Sequence, residues 1–303
     1  MQLFIEYLLF QLLRLIILAL PLKWVQRLGV KLADFAFIVL TKRRSIAVEN
    51  LQHAFPEKTQ EELEQIARNA FRNLGISICE FLWFPNLTPN ILKKIVEHKN
   101  INLMIDGHKS GKGMIMLSGH FGNWELIALA SAYVSQIPFT IIVKTQKNTL
   151  VDKVINHHRT IFGNKVIAME FAVREILSTL KNGGIVAMVA DQSAPKESVF
   201  VPFFGRDVAT YQGPAIFALR SGAPVQMGII IRKPDFTYDV IIEEIDTSDI
   251  SEYNEANVLE LTKRHTAVLE KYIRLYPDHW MWTHRRWKNI KKNSAKNILR
   301  ETS

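Results

Sequence analysis

Read as a pattern of apolar and polar positions, the chain changes texture twice. Met1–Leu22 is almost continuously apolar and reads as a helix of about 20 residues, just long enough to cross a hydrocarbon core. Gln2, Glu6, Gln11 and Arg14 interrupt it. At about 100° per residue these four fall within one half of the helical wheel and leave the other half apolar. That arrangement suits a tilted span packed against protein or a helix lying in a membrane interface, with a buried core helix as the plainer alternative. Further on, Thr59-Gln60-Glu61-Glu62 forms a capping box, and Leu63, Ile66, Ala67, Ala70, Phe71, Leu74 and Ile78 recur at helical spacing. This spacing predicts a long amphipathic helix that closes near Pro85.

From Met114 the period shortens and alternates. Short apolar strands are predicted at Met114–Leu117, Phe139–Val143, Lys165–Ile167 and Ile185–Ala190. Helices separate them at Trp124–Val134, Thr149–Phe162 and Ala172–Leu180. A strand at Val199–Phe203, a helix after Gly213-Pro214, and strands near Val225–Ile231 and Tyr238–Ile242 follow. A last helix carries Val258, Leu261, His265, Val268, Leu269, Tyr272 and Tyr276 until Pro277 stops it. The rhythm argues an α/β fold, a largely parallel sheet covered by helices on both faces, behind an N-terminal membrane-anchoring helix. The expected organisation is a helical anchor over 1–45, one α/β domain over 46–290, and a basic, disordered tail over 291–303.

Charge sharpens this picture. The net charge is +9, and its excess sits at the two ends. Arg14, Lys23, Arg27, Lys31, Lys42, Arg43 and Arg44 face only Glu6 and Asp34. After Trp282 come Arg285, Arg286, Lys288, Lys291, Lys292, Lys296 and Arg300 against Glu301. Two basic ends suit an anionic membrane surface or an acidic ligand. No helix-turn-helix, RNP or zinc pattern accompanies them, so nucleic acid is not an expected partner. The N-terminus lacks a basic leader and a small-residue cleavage site, so it does not read as a cleaved signal peptide. The basic residues behind it place the bulk of the chain on the cytoplasmic side. Cys79, the only cysteine, reads as a buried small hydrophobe.

The chemistry-bearing stretch is Leu117-Ser118-Gly119-His120-Phe121-Gly122-Asn123-Trp124-Glu125, between the first predicted strand of the sheet and its helix. Ligand sites in such sheets lie beyond the carboxyl ends of the strands. On one unbroken helix, His120 and Glu125 would diverge by about 140°. They meet only if His120 sits in a turn, which Gly119 and Gly122 permit. Glu125 would then accept one imidazole N–H and leave the other nitrogen free to take a proton from a hydroxyl. From residue types alone, a turn histidine satisfied by local hydrogen bonds is the commoner meaning. A zinc site lacks a third ligand at suitable spacing.

Ser118-Gly119-His120-Phe121-Gly122-Asn123-Trp124-Glu125 resembles the first signature block of the late acyltransferases of lipid A biosynthesis, within the glycerolipid acyltransferase superfamily. Further blocks follow in the same order. Arg159, in the helix after Val143-Lys144, resembles the basic position of the second block. Asp191-Gln192 with Val199-Phe200-Val201-Pro202-Phe203-Phe204-Gly205 resembles the third. Gly213-Pro214-Ala215 and Pro277–Trp287 close the series, so the resemblance covers nearly the whole chain. Lys144 stands where the family commonly has Arg.

The resemblance implies a glycerolipid acyltransferase-like fold and acyl transfer from acyl carrier protein to an anionic glycolipid, a lipid A precursor. The expected place is the cytoplasmic face of the inner membrane. It implies His120 as general base and Glu125 as its orienting partner, with Arg159, Lys144, Asn123, Asp191 and Gln192 as substrate-binding positions. No metal or cofactor is implied. Two other readings keep the fold: an acyl-CoA-dependent enzyme acting on a glycolipid such as a phosphatidylinositol mannoside, and a catalytically silent membrane-binding homologue.

Overall fold

The computed structural model describes residues 2–250 and 252–291, so most of the expected tail lies outside the described residues. Four helices open the chain: α1 (Gln2–Leu18), α2 (Leu22–Val39), α3 (Thr41–Ala54) and α4 (Gln60–Trp83). The short α5 (Pro89–Ile95), β1 (Val96–His98) and α6 (Asn102–Lys109) lead into the sheet. Then β2 (Met114–Ser118), α7 (Trp124–Ser135), β3 (Phe139–Val143), α8 (Thr149–Arg159), β4 (Lys165–Ala168), α9 (Ala172–Lys181) and β5 (Ile185–Val189) alternate. A ribbon of β6 (Val199–Phe203) and β7 (Arg206–Thr210) precedes α10 (Gly213–Ser221), β8 (Val225–Arg232), β9 (Tyr238–Ile245) and α11 (Glu255–Leu275).

The sheet runs β1-β9-β8-β2-β5-β3-β4 and is parallel except for the β8–β9 pair. Side chains alternate across a strand, and β2 shows where each face goes. Ile115 and Leu117 join one core with Ile176 of α9, Ala215 of α10 and Leu269 of α11. Met114 and Met116 join another with Leu82 of α4, Met104 of α6 and Leu126 of α7. Both faces are therefore covered, as the continuous apolar strands require.

The capping box forms as its residues predict. The Thr59 N–H donates to Glu62 Oε2 at 2.8 Å, and the Glu62 N–H donates to Thr59 Oγ1 at 3.3 Å. Cys79 is buried, and that burial pushes its thiol up to about 11, which keeps it an inert core group. The helix expected to reach Phe162 ends at Arg159.

The N-terminal helices dock on the sheet domain, and α3 runs without a break through residue 45. Helix α2 crosses α4 backbone to backbone. A Cβ on Gly29 would lie 2.7 Å from Ile76 Cα, and one on Gly75 would lie 2.7 Å from the Gly29 carbonyl oxygen. Helix α1 is tied along its length. Asn148 Nδ2 donates to the Leu3 carbonyl at 2.6 Å, Asn86 Nδ2 to the Leu18 carbonyl at 2.9 Å, and Trp83 Nε1 to the Leu20 carbonyl at 2.8 Å. Gln11 and Arg14 turn towards the protein, and Arg14 Nε reaches His158 Nε2 at 3.4 Å. Apart from Ile17 and Phe10, which join the core, its apolar residues turn largely outwards: Leu8, Leu9, Leu12, Leu15 and Ile16 are exposed, as are Trp24, Phe35, Ile38 and Val39 of α2. This is the reverse of a water-facing amphipathic helix. The anchor expectation needs correcting in one respect. Among the described residues no helix is long and apolar enough to cross a membrane, because α1 stops at Leu18 and carries polar groups along one side.

Replacing Gly75 by Val should force α2 away from α4 and destabilise the protein by about 1–3 kcal/mol, read as a lowered thermal midpoint. An unchanged midpoint would mean that the crossing is not close-packed.

Candidate functional site

The parallel pairing of β2 with β5 builds the centre of the site. Ser118 lies opposite Val189, so the residues just beyond each strand emerge side by side at the carboxyl edge. His120 and Asp191 are those residues. The His120 backbone N–H donates to Asp191 Oδ2 at 2.8 Å, and the ring Nδ1 lies 2.7 Å from Asp191 Oδ1. Trp280 Nε1–H donates to Oδ2 at 2.8 Å. A carboxylate only accepts, so Nδ1 carries the proton and Nε2 is the basic nitrogen. Gln192 Nε2 stands 3.4 Å from that Nε2.

The electrostatics follow from this geometry. Burial alone would pull the His120 pKa down. The charge and hydrogen bond of Asp191, with a smaller contribution from Glu125, outweigh it and hold the pKa above its ordinary value. Burial would push the Asp191 pKa up, but the imidazole and the donated N–H groups hold it below the usual carboxylate range.

The loop carrying His120 has little freedom. Gly122 adopts φ +57°, and a Cβ there would lie 2.1 Å from the Ile230 carbonyl oxygen, so only glycine fits. The closing segment of the chain binds this loop backbone to backbone. The Gly122 N–H donates to the His279 carbonyl at 2.7 Å, and the Met281 N–H donates to the His120 carbonyl at 3.0 Å.

Glu125 is hydrogen-bonded to Arg159 rather than to His120. It sits in the first turn of α7 and accepts both Nε (2.9 Å) and Nη2 (2.5 Å) of Arg159 from α8. A planar guanidinium matches a carboxylate with two hydrogen bonds where an imidazole offers one. The expected His120–Glu125 contact is thus replaced by two pairs, His120 with Asp191 and Glu125 with Arg159. Asp191, expected to hold substrate, holds the imidazole.

Asn123, expected at the substrate, is engaged internally. It is buried; its Oδ1 caps α7 by accepting from the Leu126 N–H at 3.1 Å, and its Nδ2 donates to Glu80 Oε2 at 2.8 Å. Lys144 is exposed at the carboxyl end of β3, and among the described residues its side chain makes no ion pair. No three His, Cys, Asp or Glu side chains among the described residues are grouped as metal ligands.

Three supports escaped the sequence reading. Trp280, which enters the sequence pattern only as part of the Pro277–Trp287 block, is the third donor to Asp191. Glu80 and Arg232 form a buried network with Tyr238, Gln26, Ser77 and Asn73 beneath the His120 loop. Burial would depress the Arg232 pKa, but Tyr238 and Glu80 hold it up. The sequence signal for this network was a lone charge in each of two otherwise apolar stretches, Cys79–Leu82 and Val225–Arg232.

Fold and site together define an α/β protein whose reactive side chains gather at the carboxyl edge of a mostly parallel sheet. The profile of the family described as bacterial lipid A biosynthesis acyltransferase matches residues 1–289, and the chain belongs to that family. It is an acyltransferase. It is 27% identical over 267 residues to the lipid A biosynthesis palmitoleoyltransferase of Escherichia coli (strain K12), covering 86% of this chain and 84% of the relative. Over 279 residues it is 27% identical to the lipid A biosynthesis lauroyltransferase of the same organism, at 90% and 88% coverage. A phosphatidylinositol mannoside acyltransferase of Mycobacterium tuberculosis (strain ATCC 25618 / H37Rv) is 25% identical over 118 residues, covering 38% of this chain and 37% of the relative.

Replacing Asn123 by Ala should uncap α7 and leave Glu80 short of a buried donor, lowering stability by about 2 kcal/mol. The protein that remains folded should keep its KM for acceptor. A raised acceptor KM at unchanged thermal midpoint would restore Asn123 to the substrate.

Proposed function

We propose that this acyltransferase moves a fatty acyl group from the thioester of an acyl carrier protein to a hydroxyl of a lipid A precursor, with His120 as general base. The observation that carries this reading is the imidazole held by Asp191 through Nδ1, with Nε2 directed away from its carboxylate. Nε2 takes the proton of the acceptor hydroxyl as its oxygen attacks the thioester carbonyl. The tetrahedral intermediate collapses, the C–S bond breaks, and the imidazolium returns the proton to the leaving thiolate. One ester forms and one thiol is released, without a protein nucleophile.

In this scheme Asp191 fixes the tautomer and steadies the imidazolium, and the Glu125–Arg159 pair ties α7 to α8 beside it. The lipid A acceptor is favoured over a mannosylated phosphoinositide because the lipid A enzymes align along most of the chain. A silent homologue would have no need for an intact His120–Asp191 pair.

The outward apolar face of α1 and α2, followed by Lys42, Arg43 and Arg44, supports a bilayer surface as the working place, at the cytoplasmic face of the inner membrane. Replacing Leu8 and Leu12 together by Asp should release the protein from membranes into the soluble fraction. Retention in the membrane fraction would argue against an interfacial α1.

The main test is transfer of radiolabelled acyl groups from a panel of acyl carrier proteins to a tetra-acylated lipid A precursor. Wild type should transfer, and His120→Ala should lose roughly 10²–10⁴ in rate while keeping its fold. No transfer by well-folded wild type would overturn the reading. A base acts only when unprotonated, and His120 is raised above its ordinary 6.5, so kcat/KM should climb with pH along a limb centred above that value. In Asp191→Asn the stabilising charge is gone and burial remains, so the limb should move to lower pH as the rate falls. A limb that stays in place would separate Asp191 from the base.

A further inference from the structure

Beside the imidazole, and outside the pairs described above, the surface opens into a cavity of about 420 Å³ lined by Lys42, Arg43, Ile46, His284 and Arg285. No carboxylate lines it, so three cations share one concavity without an anion in its wall. Such a concentration of like charge attracts an anion. The cavity also lies at the first turn of α3, a fourteen-residue helix whose N-terminus has no side-chain cap.

His284 joins this cavity to the site. Its Nε2 accepts the Ser193 backbone N–H at 3.2 Å, two residues beyond Asp191 and next to Gln192. With Nε2 so used, Nδ1–H is the donor left for a ligand. Its wall is held in place: Asn50 Nδ2 donates to the Trp282 and His284 carbonyls, each at 2.7 Å, and Arg43 Nη1 donates to the Thr283 carbonyl at 3.1 Å.

We propose that this cavity is a phosphate subsite that binds a phosphate group of the lipid acceptor. The inference rests on the acyl-transfer reading above and assigns residues to one end of its acceptor. Two sources of phosphate are chemically possible, the acceptor headgroup and the phosphodiester of the donor's carrier arm. The structure favours the acceptor because Ile38, Val39 and Leu40, all exposed, are separated from Lys42 and Arg43 by Thr41 alone. An apolar rim continuous with a cationic pocket fits an amphiphile whose phosphate sits next to its acyl chains. A cavity of this size takes a phosphate with part of its sugar.

The test uses Lys42→Ala/Arg285→Ala, two exposed positions whose loss should leave the thermal midpoint unchanged, with Arg43→Lys as a charge-keeping companion. With a bisphosphorylated tetra-acylated glucosamine disaccharide in detergent micelles, the double variant should raise acceptor KM about tenfold or more. The Arg43→Lys variant should raise it less, and donor KM should not change. With the monophosphorylated form of the same lipid, whichever phosphate is missing in the sensitive case, wild type should already show the raised KM and the double variant should add little.

Binding of the same two lipids to His120→Ala protein is measured in parallel. Phosphate-dependent binding there, lost in the added double variant, would uphold the subsite even if wild type failed to transfer acyl groups. A donor KM that rises while acceptor KM holds would overturn the assignment and give the cavity to the carrier arm. Equal binding of lipids with both, either or neither phosphate would also overturn it.

Discussion

The rest of the site depends on one carboxylate kept charged inside protein. Asp191 is buried, and an isolated ion in that position would be costly. Its two oxygens are satisfied by the His120 backbone N–H, the His120 ring and the Trp280 indole. Two lie in the loop after β2, and one lies on the segment that follows α11. The imidazole is therefore positioned by a network whose members fix each other, and its tautomer is a consequence of burial rather than of local sequence.

Around that centre the architecture separates holding from doing. The buried ion pair of Glu80 and Arg232, with Tyr238, Ser77 and Asn123, grips the loop from below. The Glu125–Arg159 pair joins α7 to α8 at the opposite shoulder. A single removed partner in either network leaves a charge with nowhere to go, which is more damaging than removing both. Gln192 stands at the Nε2 of His120, and the next residue, Ser193, donates its N–H to His284.

Much of the fold was legible along the chain. The Thr59 capping box, the helix it opens, and each strand from Met114 to Val189 fall where periodicity puts them, because local propensity and burial agree there. The antiparallel return of β9 on β8 was not legible, since a buried apolar strand looks the same in either direction. The site was legible as a set of residues but not as a set of partners. His120 and Glu125 are five apart, and sequence nearness suggested their pairing. His120 and Asp191 are neighbours only because β5 lies beside β2 in the sheet while β3 comes between them in the chain. Arg159 and Glu125 find each other by the packing of two helices. Pairings of that kind depend on strand order, which no local pattern encodes.

The segment after α11 has a consequence for when the protein becomes competent. Its indole completes the solvation of Asp191, and its backbone clamps the loop on both sides of Phe121. During synthesis the strands of the sheet and α11 all leave the ribosome before this segment does. At that stage the carboxylate lacks a donor and the imidazole has no firm seat. Competence thus waits on the segment beyond α11, and a chain cut short before Trp280 would lack the indole donor and both backbone clamps.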